Sequence, residues 1–228
     1  MENNIKKLQF QNEKSPSIAQ KISIITWYIV CVIVAVYFTF FKGNEAEQFV
    51  NTERQVALFA CAVIYVVRAA ITLFVFVKRK IPWWEAAWGG SILGIVLFFF
   101  LYYGLLETKP LGIADLVGIL LYLTGSYIGT ASEYSRHIWK ARSENQGHLY
   151  VEGLFKYARH INYFGDLLLF LGFAILTNQL WTVFVPLGMG LNFVLMIIPA
   201  HDAYLASRYG GEYTKFAQRT RKLIPFLY

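Results

Sequence analysis

The residues of this chain with the types and spacing for chemistry fall into three groups. Glu133, Lys140, Arg159, His160, Asn162 and Asp166 form a series of acids, bases and one amide ahead of and within an apolar run. His201 and Tyr204 follow the last apolar run. Tyr65 and Arg68 lie inside an apolar run, three residues apart and so on one helix face. Arg68 lies about 14 Å from the cytosolic end of its helix at 1.5 Å per residue. Intramembrane polar residues are costly and are functional candidates by default. A buried phenol beside a guanidinium suits hydrogen bonding to a substrate oxygen or proton donation.

Other chemistries fit poorly. All four histidines (His137, His148, His160, His201) lie in residues 132–162 and 201–228, separated by gaps of 11, 12 and 41 residues. Zinc and di-iron sites use close pairs, so no metal is expected. Cys31 and Cys61 both fall in apolar runs, where they read as small core residues. Gly188-Met189-Gly190 begins like a dinucleotide fingerprint, but the sixth position is Phe193 and no strand precedes it.

The elements that must position these residues are membrane helices. The chain has 228 residues, 57% of them hydrophobic and only 15% charged. A soluble domain needs roughly 25% charged residues. Apolar blocks at 22–41, 55–77, 86–106 and 111–131 each have the ~20 residues a spanning helix requires. A longer block from 163 to 200 is split by Thr177-Asn178-Gln179 into 164–176 and 180–200, the first of them short. The expected fold is all-α: a polytopic membrane helical bundle of about six transmembrane helices, one integral membrane domain over residues 1–228. The polar first 21 residues do not resemble a removable signal peptide. Gly90/Gly94 and Gly125/Gly129 predict close helix packing.

Charge gives the orientation. With six helices, 17 Lys and Arg fall on the side holding both termini, three (Lys42, Arg54, Lys109) fall on the other, and Arg68 lies within a span. The positive-inside bias then places both termini, segment 132–162 and tail 201–228 in the cytosol, of a bacterial inner membrane or the endoplasmic reticulum. The net charge of +7 is thus a topology marker. It excludes nucleic acid as the partner, although basic residues among aromatics would suit one. Partners are membrane lipids and a lipid substrate; nothing in the pattern bears on oligomeric state.

Gly153-Leu154-Phe155-Lys156-Tyr157-Ala158-Arg159-His160-Ile161-Asn162-Tyr163-Phe164-Gly165-Asp166 resembles the signature of membrane sterol reductases and steroid 5α-reductases. His201-Asp202-Ala203-Tyr204-Leu205 and the ending Arg221-Lys222-Leu223-Ile224-Pro225-Phe226 are similar to their C-terminus, and Tyr65-Val66-Val67-Arg68 to their intramembrane Tyr-x-x-Arg. The resemblance implies NADPH-dependent reduction of a carbon–carbon double bond in a steroid, sterol or isoprenoid-like lipid. It assigns catalysis to Tyr65 and Arg68. The cofactor falls to Glu133, Lys140, Arg159, His160, Asn162, Asp166, His201 and Tyr204. The chain departs from that family in having no acid in 22–41, where the nearest are Glu45 and Glu47, and in carrying Gly129 where an Asn is expected.

Isoprenylcysteine and phospholipid methyltransferases, which bind S-adenosylmethionine, have a similar C-terminal plan. They carry Arg-His-x-x-Tyr, then Tyr-Gly-x-x-Tyr and a closing Pro. Here the first of these runs reads Arg159-His160-Ile161-Asn162, followed by Gly165-Asp166. Ile161 replaces their usual Pro, and Asn162 with Asp166 points to the reductases. Reduction is therefore the first expectation and methyl transfer the alternative.

Overall fold

The computed structural model describes residues 15–42 and 51–228, with the side chains of 40–42 left aside. Glu45 and Glu47 lie outside the described residues. Among the described residues every named element is a helix, and an isolated bridge of strand type joins Ala158 and Arg221. Among the described residues five helical stretches are long and apolar enough to cross a membrane: Ile18–Thr39, Thr52–Phe76, Trp83–Leu105, Ile113–Ala141 and Leu180–Tyr209. A shorter apolar helix, Ile161–Leu176, has 16 residues, about 24 Å of rise. This is an integral membrane protein by the length and composition of its helices.

The helices used below are α1 (Ile18–Lys42), α2 (Thr52–Ile71), α3 (Ser91–Leu105), α4 (Ile113–Ala141), α5 (Ile161–Leu176), α6 (Phe184–Asn192), α7 (Ile198–Tyr209) and α8 (Gly211–Arg219). A wide π-helical turn, Phe193–Ile197, joins α6 to α7. It stands just ahead of Pro199, whose ring removes an N–H from the helical ladder.

The described chain forms two compact units, residues 1–122 with 170–185, and residues 123–169 with 186–228. In the first, α1 packs on α3 where small residues permit it. A side chain at Gly94 would run into the Trp27 indole, and one at Gly90 would stand 3.0 Å from Ile24. Asn51 caps α2 by accepting from Arg54 N–H at 2.9 Å. The Arg54 side chain, 1% exposed, donates to Asp115 at 2.6 and 3.0 Å and to the Leu176 carbonyl at 2.7 Å. Asp115, 6% exposed, also accepts from Gly112 N–H at 2.8 Å. It stands in the first turn of α4, where the helix dipole favours a carboxylate.

In the second unit, α4 and α5 meet backbone to backbone, as Gly125/Gly129 predicts. A Cβ at Gly165 would stand 2.6 Å from Gly129 N and 2.8 Å from Gly125 O. An aromatic core of Tyr150, Phe155, Ile161, Tyr213 and Phe216 packs the connecting segment against α8.

Two sequence expectations change. Residues 132–141 read as loop, yet α4 continues to Ala141, so Glu133 and Lys140 are helical. Leaving lipid does not end a helix: this stretch holds no Gly or Pro, and water satisfies its exposed groups as well as lipid tolerates them. Likewise 201–228 is not an open tail. Helix α7 runs to Tyr209, Gly210 turns the chain at φ 49°, and α8 follows.

Candidate functional site

The second unit holds eight of the ten predicted site residues, and two hydrogen-bonded networks within it include Arg159, His160 and Lys140. The first centres on Asp202 of α7. His160 Nε2 donates to Asp202 Oδ1 at 2.8 Å, and the Arg159 guanidinium reaches Oδ2 at 3.4 Å. Arg159 also donates to the carbonyls of Ala217 and Thr220 at 2.9 and 2.8 Å, closing the C-terminal end of α8. A cation there matches the negative end of the helix dipole. Burial, and then a hydrogen bond to the Asp202 carboxylate, push the Tyr213 phenol well above the ordinary tyrosine range. Tyr213 therefore stays protonated and donates.

Around this carboxylate stands an aromatic wall. The His160 ring stacks on Tyr163, 5.5 Å between centroids and 2° between planes, and Tyr163 stacks on Phe193 at 4.8 Å. The Tyr163 hydroxyl and His201 Nδ1 are 3.1 Å apart. Arg159 and His160 are buried; Asn162, Asp166, His201 and Tyr204 are half-buried. Asn162 and Asp166 are one turn apart on α5 and share a face. Arg208 donates to the Tyr204 hydroxyl at 2.7 Å.

The second network ties α4 to α8. Lys140 donates to the His148 carbonyl and, at 2.9 Å, to the Tyr209 hydroxyl, with its ammonium 4.9 Å from the Tyr209 ring centre. Glu212 accepts from the His148 ring at 2.8 Å and from Leu149 N–H at 2.9 Å. These two bonds hold the Glu212 carboxyl below the usual glutamate range. Glu133 pairs with Arg136 one turn along α4.

Tyr65 and Arg68 belong to the first unit. Tyr65 is buried between the rings of Tyr28, at 5.8 Å, and Phe170, at 5.5 Å. Tyr122, about two and a half turns into α4, donates to the Cys61 carbonyl at 2.5 Å.

Asp202 was missed as a site residue. Its partner His160 lies 42 residues away, so no local spacing marks it. The available signal was an uncompensated acid next to a His at the end of an apolar run.

The chain resembles two curated relatives from rice, each named "Probable protein-S-isoprenylcysteine O-methyltransferase", one from Oryza sativa subsp. indica and one from subsp. japonica. Each is 28% identical over 127 residues, covering 53% of this chain and 66% of the relative. The chain thus spans just under two thirds of their length. No support for the steroid reductases accompanies these matches, so the resemblance that came second in the sequence is the one with a named relative behind it. A family model described as "Protein of unknown function (DUF1295)" matches residues 91–220, a segment that holds α4, α5 and both networks. The chain belongs to the DUF1295 family.

Proposed function

We propose that this protein is a membrane-embedded methyltransferase that uses S-adenosylmethionine on the carboxylate of an isoprenyl-bearing, lipid-like substrate. The observation that carries this reading is the convergence on Asp202. Arg159 and His160 come from the Arg-His-x-x-Tyr run and Tyr213 from the Tyr-Gly-x-x-Tyr run, and all three meet one carboxylate. Both runs belong to the methyltransferase plan, and the rice relatives carry that activity in their names.

The donor set suits this cofactor. Arg159 Nε is buried and makes no hydrogen bond among the described residues, so one cationic donor is left over in a nearly closed network. A ligand with both a carboxylate and an ammonium needs donors and acceptors together. Arg159, His201 and Tyr204 supply the first kind, and Asn162 and Asp166 the second. When bound, S-adenosylmethionine supplies an electrophilic methyl group. The chain's own part is to hold the polar ends of that ligand, to line it with the rings of Tyr163 and Tyr204, and to keep water from an apolar substrate. By the Lys/Arg bias, the bundle crosses the membrane six times with α5 as the short crossing, and the site opens to the cytosol.

Asn162 and Asp166, one turn apart at the start of α5, favour a second reading, NADPH-dependent reduction of an unsaturated lipid. Under it Tyr65 is the proton donor, with Arg68 beside it, and Glu133 and Lys140 join the cofactor's ligands. Against it, the donors of Lys140 and Arg159 are largely engaged by carbonyls, a phenol and Asp202 rather than left for phosphates.

Calorimetric titration of the purified full chain in nanodiscs separates the readings. Saturable binding of S-adenosylmethionine without binding of NADPH is the expected result. NADPH binding alone overturns the methyltransferase in favour of the reductase, and binding of neither overturns both. Tyr65→Phe leaves methyl transfer unchanged, whereas under the second reading it slows turnover at constant cofactor affinity.

A further inference from the structure

Residues 221–228 are pinned against the second unit. Arg159 N–H and His160 N–H, which lead into α5, donate to the carbonyls of Arg221 and Lys222 at 2.8 and 2.9 Å. Leu223, the next residue, is buried against Phe193 and Ile198 of the apolar Leu180–Tyr209 stretch. The chain then closes a tight turn, in which Leu227 N–H and Tyr228 N–H return to the Ile224 carbonyl at 3.1 and 3.0 Å.

Inside that turn Phe226 has φ 66°. A bulky aromatic residue in the left-handed region is strained, and strain of this kind persists where surrounding structure enforces it. Here it does not serve packing of the ring into the protein: Phe226 is 76% exposed and Leu227 78%. Among the described residues the ring Phe226 meets is that of Tyr157, edge-on at 5.8 Å, and Tyr157 is itself exposed. The turn therefore holds two apolar side chains outward from the second unit. Exposed Arg221, Lys222 and Lys156 flank them, and the Lys222 ammonium stands 5.5 Å from the Tyr228 ring centre.

We propose that this turn is an anchor for anionic lipid. Tyr157, Phe226 and Leu227 insert at the headgroup–acyl boundary, and Arg221 and Lys222 bind lipid phosphates. Aromatic rings with basic flanks are the side chains that favour that layer, and anionic lipid adds attraction for each cation near the surface. Because the same residues hold the backbone of Arg159 and His160, lipid bound here steadies the Asp202 network. The proposal is independent of which cofactor that network serves.

A nitroxide on Leu227→Cys in the full chain tests it, since the two native cysteines are buried. Collision rates with oxygen and with a water-soluble nickel chelate are compared in nanodiscs of phosphatidylcholine alone and of phosphatidylcholine with phosphatidylglycerol. The oxygen-to-nickel ratio is expected to rise severalfold with the anionic lipid, and the rise to vanish in Arg221→Gln/Lys222→Gln. Equal nickel access in both compositions overturns the proposal. So does a label shielded from both reagents equally in detergent and in both nanodiscs, which marks a protein contact such as a second copy. Phe226→Gly relieves the strain; it is expected to keep or raise the Tm in detergent while losing the gain in Tm that anionic lipid confers. An undiminished gain counts against the anchor.

Discussion

His160 of the segment entering α5 and Asp202 of α7 are joined by a 2.8 Å hydrogen bond, with the imidazole held flat against Tyr163. That bond aligns the carboxylate for Arg159 and Tyr213 and so makes Asp202 the common point of three chain segments, the entry to α5, α7 and α8. Removing it leaves a buried guanidinium without its counter-charge. Asp202→Ala is expected to cost about 3 kcal/mol, seen as a clear fall in Tm, and to abolish cofactor binding. A variant that keeps both its Tm and its affinity would show that the network is ornamental.

The buried pair of the first unit predicts a different pattern. Arg54→Met leaves Asp115 charged and enclosed, and Asp115→Leu does the same to Arg54; each should lose about 3–5 kcal/mol. The double variant Arg54→Met/Asp115→Leu removes both charges and should recover much of that loss. Thermal unfolding of the three variants in one detergent measures the coupling, and simple addition of the two single effects would argue against it.

Glycines separate into two kinds. At Gly165 an added methyl would meet the backbone of α4, so Gly165→Ala is expected to cost about 1–3 kcal/mol. At Gly188 nothing lies within 4 Å, and Gly188→Ala should be neutral or stabilise α6 by about 0.5–1 kcal/mol. Parallel melting curves check the contrast.

Acid should loosen one network selectively. The Glu212 carboxyl is held below its ordinary value of 4.5 by the His148 ring and then by Leu149 N–H. A depressed folded-state value means the contribution is complete above that ordinary value and fades as pH falls through the folded one. Amide exchange at Leu149, taken relative to its intrinsic rate at each pH, is therefore expected to quicken below about pH 4.5 in the native chain. In Glu212→Gln it should already be fast at pH 7 and change less with acid.

Much of this fold is written locally. The apolar run 55–77 needs no partner to be recognised, and it appears as α2 with its wide last turn. Gly125 and Gly129, four apart, announce the seam that α5 fills. What local pattern misreads is charge. Arg54 counts as an outer-loop cation until Asp115, 61 residues away, is seen to enclose it. The polar stretch after residue 131 looks like a loop because membrane edge and helix end coincide so often, yet α4 has no reason to stop there. The site behaves likewise: Arg159, His160 and Tyr163 stand out as a run, while Asp202, which gives them a common purpose, is visible only in the packed unit.

The seam between α4 and α5 has a consequence for how such a protein can change what it acts on. With Gly165 lodged against Gly125 and Gly129, sliding either helix by a turn would drive side chains into backbone. The rows bearing Glu133 and His137 on one helix and Asn162 and Asp166 on the other are fixed in register like two gears in mesh. New selectivity has to come from exchanging the teeth, residue by residue along those two rows, while the spacing between the axles stays as it is.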